Sequence, residues 1–206
     1  MKNYKKNFEI LKKNHVYSEE MEHDACGVGL IASTEGKKSR KIVEYGIEAL
    51  KAVWHRGAVD ADGKTGDGAG IHVEVPKDFF IEKVEVTGHT YDNSEICVGM
   101  IFLPRNDYAA QESCKTIVES ELTKNDFSIY GWRQVPVNPK VLGEKAFQTM
   151  PEIIQVLFKS NNPELLNKDL ERKIYETRRI IENKAFQISL NNFYICSLSS
   201  KSIIYK

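Results

Sequence analysis

Cys26 stands at the start of a glycine-punctuated apolar run, directly behind the polar and charged residues 1–25. The small and β-branched residues of the run predict a buried strand over residues 26–33 that ends in a turn. If the chain is cut before Cys26, this one residue carries a thiol nucleophile and a free α-amine that can act as its base. The reference pKa is about 8.5 for the thiol and about 7.7–8.0 for the amine. Both groups therefore change protonation near neutral pH, as a nucleophile and its proton acceptor must.

The other three cysteines, Cys97, Cys114 and Cys196, fall within predicted strands or a predicted helix. No pair has the C-x-x-C spacing, and none lies beside histidines at metal-ligand intervals. We expect these three to be free thiols packed as small core residues. A buried structural cysteine is also the alternative for Cys26 when residue type alone is considered.

Composition favours one domain and argues against two classes of partner. The chain has 206 residues, 41% of them hydrophobic, which is enough for one sizeable core. Lys+Arg and Asp+Glu are equal at 29 each, which does not favour nucleic acid or an anionic membrane as a partner. No apolar run approaches the ~18 residues of a membrane span, and residues 8–11 are far too short for the apolar region of a signal peptide. We therefore expect a cytoplasmic protein.

Apolar periodicity predicts alternating helices and strands without strict βαβ order. Several neighbouring strands have short connections, which favours a layered α+β fold over a doubly wound sheet. The predicted strands cover residues 26–33, 71–75, 95–103, 127–137, 193–198 and 202–205, and the predicted helices cover residues 40–53, 77–84, 107–124 and 164–184.

Two further motifs carry candidate site residues. Arg56 lies in the turn after the first predicted helix, where its donor fork suits carbonyls near the nucleophile or a substrate carboxylate. The alternative is a surface arginine at a helix C-terminus. A glycine-rich tract at residues 60–70 follows; it lacks the G-x-x-x-x-G-K-[ST] pattern of a phosphate loop. Its glycines let the backbone pass close to the predicted catalytic strand, and Asp67 suits a turn or the wall of a pocket.

Taken together, these motifs resemble the class II glutamine amidotransferase domain that begins glutamate synthase large subunits. The resemblance rests on four blocks in the family's order: HDACGVGLIA, HRGA, TGDGAGIHVEVP and FYICSLSSKSIIYK. It implies an N-terminal-nucleophile hydrolase fold, an αββα sandwich that is incomplete at its C-terminus. It also implies that residues 1–25 are a leader that is removed and that residues 26–206 are the N-terminal part of the amidotransferase domain.

The implied reaction is hydrolysis of glutamine to glutamate and ammonia, with ammonia passing to 2-oxoglutarate elsewhere in the subunit. Cys26 would be the catalytic nucleophile, while Arg56, Gly57, Asp67 and Gly68 would shape the site or bind substrate. The implied partners are glutamine, the rest of the synthase subunit and a small reductase subunit. The resemblance implies no cofactor in this chain, because FMN and a 3Fe–4S cluster belong to regions absent from it. NADPH, NADH and ferredoxin all remain open as electron donors.

Two blocks of the family pattern are missing from the sequence. The family draws its oxyanion donors from an HNGE-type block and binds glutamine partly through an HSRFSTNT-type block, and neither is present here. We therefore expect a fragment of a longer subunit that is inactive alone. The alternatives are a noncatalytic interaction or regulatory domain of the same fold, or another class II amidotransferase such as the phosphoribosyl-transferring type. The extended TGDGAG and FYICSLSS blocks count against the latter.

Overall fold

The computed structural model describes residues 27–54 and 57–206, together with residues 6, 7, 9, 10, 12 and 13. The helices of the main part are α1 (Arg40–Ala52), α2 (Lys77–Val86), α3 (Tyr108–Lys124), α4 (Glu144–Thr149) and α5 (Asn167–Gln187). The strands are β1 (Ile71–Glu74), β2 (Ile96–Leu103), β3 (Phe127–Gln134), β4 (Glu152–Ser160), β5 (Tyr194–Ser199) and β6 (Ser202–Tyr205).

Strands β2 to β5 form one antiparallel sheet in the order β3–β4–β2–β5. In chain order these strands and two helices run β2, α3, β3, β4, α5, β5, which is the ferredoxin-like split βαβ arrangement. Helices α3 and α5 cover one face of this sheet. Each begins after one of the two central strands, so each connection crosses the sheet on the same side.

The central strand β2 is buried on both faces, and its side chains alternate between two cores. Cys97, Ile101 and Leu103 face the core that contains Cys114 of α3 and Ile174 of α5. The intervening Ile96, Val98 and Met100 face a second core together with residues of α2 and β6. Burial on both faces explains why β2 has a continuous apolar run rather than an alternating one.

A second, two-stranded sheet lies over the other face and is formed by β1 and β6. Ile203 of β6 and Phe80 of α2 belong to the second core, together with Met100 of β2. On the outer side, a Cβ added to Gly46 of α1 would lie 3.3 Å from Ile71 Cδ1, so α1 packs closely on β1. The layers therefore follow the order helix, sheet, sheet, helix, which confirms the predicted α+β sandwich.

The strand predicted for residues 26–33 is wrong wherever the structure describes it. Residues 27–33 form no regular strand, and Val28 and Leu30 are 93% and 88% exposed. Among the described residues no strand pairs with this segment, and an apolar run becomes a strand only where it can pair and be buried. Cys26 itself lies outside the described residues.

Two elements were missed by the sequence analysis, while the other predicted helices and strands are confirmed within a few residues. Strand β4 pairs with both β2 and β3, in a stretch between residues 137 and 164 for which the sequence predicted no helix or strand. Helix α4 has only six residues. None of the described helices combines the length and the apolar character that crossing a membrane requires.

Candidate functional site

The candidate site residues that the structure describes belong to one loop, residues 57–70, here named the site loop. It begins where α1 ends, with Gly57 N–H donating to Trp54 O at 3.1 Å. Val59 and Gly66 form an antiparallel bridge, and Asp60 N–H donates to Thr65 O at 2.8 Å. The site loop is thus a small hairpin that leads into strand β1, a context that also differs from the strand-to-helix setting of a phosphate loop.

Asp67 joins the two motif blocks of the loop. Its Oδ2 accepts a hydrogen bond from Ala58 N–H at 2.7 Å, and the side chain is exposed. A Cβ added to Gly57 would lie 3.9 Å from the same oxygen. The carboxylate therefore closes the base of the hairpin immediately beside the HRGA block.

The glycines of the loop serve different needs. Gly68 has φ of +84° and open space around its Cα, so the backbone conformation alone favours glycine there. A Cβ at Gly70 would lie 3.0 Å from Tyr205 O, so this glycine allows close approach to β6. We expected the glycines to let the backbone approach the strand after Cys26; the approach that the structure describes is to β6 instead.

The tip of the loop is held by Asp62. Its carboxylate accepts hydrogen bonds from Lys64 N–H at 2.9 Å and from both the N–H and the hydroxyl of Thr65 at 2.7 and 2.5 Å. These bonds, the Thr65 hydroxyl first, hold the pKa of Asp62 well below its usual range. The carboxylate is therefore ionised throughout the physiological pH range and accepts these hydrogen bonds in its charged form.

The two other predicted site residues, Cys26 and Arg56, lie outside the described residues, as does His55. The structure brings Gly57, Asp67 and Gly68 together in the site loop. Gly143, which the sequence analysis missed, contacts the loop tip from beside α4, 78 positions after Thr65. The sequence alone does not reveal this contact, because the two segments are distant in the chain and only the fold brings them together.

The remaining thiols are unsuited to nucleophilic attack. Cys97, Cys114 and Cys196 are buried, as predicted. Burial raises the pKa of Cys114 to about 11 and raises the pKa of Cys97 and of Cys196 as well. All three are protonated at neutral pH.

A cleft of about 650 Å³ opens at the ends of β2, β4 and β5. Arg105 and Lys206 line it, with the guanidinium 4.7 Å from the centre of the Phe147 ring and the ammonium 5.2 Å from that of Tyr194. Gly57, Asp67 and Gly68 do not line this cleft. Within the described ranges no group of three or more His, Cys, Asp or Glu side chains is placed to hold a metal ion.

Comparison with known proteins gives one family and close relatives. A family model described as "Glutamine amidotransferases class-II" matches residues 26–206. The glutamate synthase (NADPH) large chain of Azospirillum brasilense is 53% identical over 203 residues, which are 98% of this chain and 13% of that protein. The chloroplastic ferredoxin-dependent glutamate synthase 2 of Arabidopsis thaliana is 37% identical over 97% of this chain and 12% of its own length. This chain therefore spans about an eighth of such relatives.

Proposed function

Since this chain belongs to the class II glutamine amidotransferases, we propose that it is the glutaminase part of a glutamate synthase. In this role it hydrolyses the side-chain amide of glutamine to give glutamate and ammonia. The observation that carries the proposal is that the family match starts at Cys26, the one cysteine with neighbours suited to chemistry. Relatives named glutamate synthase match almost the whole chain and support the larger assignment.

The proposed chemistry depends on one residue. After removal of residues 1–25, the Cys26 amine takes the thiol proton, directly or through one water. The thiolate attacks the amide carbon of glutamine, and the Cys26 ammonium returns its proton to the leaving nitrogen. Ammonia then departs, and a γ-glutamyl thioester remains. Water then cleaves the thioester, releasing glutamate and restoring the thiol.

In this proposed reaction, Arg56 and the site loop that follows it have supporting roles. Arg56 holds carbonyl or carboxylate oxygens near the nucleophile, and Gly57 and Gly68 let the backbone turn beside it. Asp67 keeps the HRGA block in place through its hydrogen bond to Ala58 N–H. The Asp67 bond is the described contact that supports a shared role for the two motif blocks.

The remaining steps belong to the longer subunit. We propose that ammonia reacts there with 2-oxoglutarate and that FMN and a 3Fe–4S cluster in that part carry the reducing equivalents. A small reductase subunit is a further proposed partner, and the cytoplasm is the proposed location. Relatives named as NADPH-type and ferredoxin-dependent enzymes both match, so either electron donor fits this domain.

The test uses the full subunit that carries this sequence and a diazoketone analogue of glutamine. We expect mass spectrometry to find one label, on a peptide that begins with Cys26, and we expect glutamine to block it. Cys97, Cys114 and Cys196 are the internal control, because buried thiols with raised pKa values should stay unlabelled. A Cys26→Ser variant should lose the label.

Absence of both labelling and glutamine hydrolysis in the processed subunit would reject the glutaminase role. That result would favour the alternative of a noncatalytic domain with the same fold.

A further inference from the structure

We propose that Gly143 and helix α4 clamp the tip of the site loop and thereby position the start of that loop, at Gly57 and Ala58, for glutamine hydrolysis. This inference rests on the proposed function and assigns a positioning role to residues far from the site motifs in sequence. No step of it requires α4 to touch the substrate.

The first part of the clamp is steric. Gly143 is buried, and a Cβ added to it would lie 2.5 Å from Thr65 N and closer still to Thr65 Oγ1 and Asp62 Oδ2. Its φ of −72° is open to any residue, so the backbone conformation does not explain the glycine. The contact with the loop tip explains it, because a single methyl group would push the tip away.

The second part is polar. Lys145 Nζ lies 2.7 Å from Asp60 Oδ2, and Ala146 N–H donates to Thr65 Oγ1 at 3.4 Å. The lysine side chain is 66% exposed, so solvent screening leaves the ion pair little effect on the free energy of unfolding. Its role is to orient the loop: the ion pair holds the tip at Asp60, and the contact with Gly143 limits movement of the tip at Asp62 and Thr65.

A change at the clamped tip can affect the start of the site loop because the loop is short and exposed. Most residues between 57 and 70 are exposed, so few apolar contacts hold the loop otherwise. Its base is fixed by the Asp67–Ala58 hydrogen bond, and Ala58 comes two residues after Arg56. A displaced tip therefore shifts the Val59–Gly66 bridge and, through it, residues 57 and 58 at the start of the site loop.

The test compares variants of the full, leader-processed subunit. Gly143→Ala should lower kcat/KM for glutamine by about 10- to 100-fold, the effect expected when reacting groups are misplaced by about 1 Å. It should also speed hydrogen exchange in residues 58–67 while the subunit stays folded. Lys145→Ala should have a smaller effect of the same kind, and Lys145→Arg should retain both properties, because the longer cation still reaches Asp60.

Lys140→Ala is the matched control, since this lysine is exposed in the same connection and its ammonium forms no ion pair within residues 27–54 and 57–206. It should leave kinetics and exchange unchanged. Wild-type kinetics and wild-type loop exchange in Gly143→Ala would overturn the clamp. If Gly143→Ala does not fold, additive effects of Lys145→Ala and Asp60→Ala in a double-mutant cycle would overturn it.

The outcomes also separate this inference from the proposed function. An inactive wild-type subunit whose Cys26 resists labelling would reject the glutaminase role. Loop exchange in Gly143→Ala would still decide whether α4 holds the loop, and unchanged exchange would reject the clamp.

Discussion

Glu121 is a carboxylate buried between the two helices that cover the four-stranded sheet. It is 4% exposed and lies 2.6 Å from Lys184 Nζ of α5 and 3.1 Å from Lys124 Nζ. The bond from Lys184 is the largest cause of a pKa below the usual glutamate range. A charged group in this position ties α3 to α5, because removing Glu121 leaves both Lys184 and Lys124 without this counter-ion.

We predict that Glu121→Gln lowers the free energy of unfolding by about 1.5 kcal/mol at pH 7, since a hydrogen bond to a charged group is lost. Both lysines keep some contact with water, which limits the cost. Because the folded-state pKa is lowered, the stabilisation is full above the ordinary value of 4.5 and is lost as pH falls through the folded-state pKa. Urea unfolding between pH 7 and pH 3 should show the difference between wild type and variant shrinking.

Glu112→Gln is the control for this prediction. Glu112 is 71% exposed and pairs with Lys115 at 2.9 Å on the same helix. Its replacement should change stability by less than about 0.5 kcal/mol. Equal losses in the two variants would show that burial of Glu121 contributes nothing.

At the level of elements, helix α5 fastens the turn that joins β5 to β6. Glu171 Oε1 accepts hydrogen bonds from Ser200 N–H at 2.8 Å and from Ser200 Oγ at 2.7 Å, and Oε2 accepts one from Ser199 Oγ at 2.7 Å. Ser200 is fully buried, so its polar groups depend on this carboxylate. Since β6 pairs with β1 and contacts Gly70, the turn also determines where the site loop ends.

We predict that Glu171→Ala lowers stability by about 2 kcal/mol, because buried donors of the turn lose their acceptor. Hydrogen exchange should rise across residues 200–204 and into β1, its pairing partner. Glu176→Ala, at an exposed position of the same helix, is the control and should change neither measurement. Unaltered exchange in Glu171→Ala would mean that strand pairing alone holds the turn.

Apolar pattern predicted most elements but failed at two of them for opposite reasons. Strand β4 has buried residues on both faces, so its run of Ile, Val, Leu and Phe lacks the alternation of a half-buried strand. Residues 27–33 have the expected strand composition but no pairing edge among the described residues. In both cases, pairing with distant strands decides whether the segment becomes a strand, and the local apolar pattern carries no information about that pairing.

In the candidate site, too, some residues could be predicted from the sequence and others could not. The motif blocks identified Gly57, Asp67 and Gly68, which the fold brings together in one loop. Gly143 and Lys145 could not be found, because their contacts with Asp62 and Asp60 span about 80 residues of sequence. Contacts between segments so far apart in the chain leave no trace in apolar periodicity or motif spacing.

At the level of the whole molecule, the proposal requires that residues 1–25 be absent from the working enzyme. While Ala25 remains attached, the nitrogen of Cys26 is an amide and cannot accept the thiol proton. We predict that a subunit with an intact leader hydrolyses no glutamine, whereas one that begins at Cys26 does. For the latter, activity should rise with pH as the amine loses its proton near its reference pKa of about 7.7–8.0. Measurement of the intact mass shows whether residues 1–25 are present in each preparation, and Cys26→Ala in the shorter form is the control. Glutamine hydrolysis by the uncut form would disprove the requirement for a free amine.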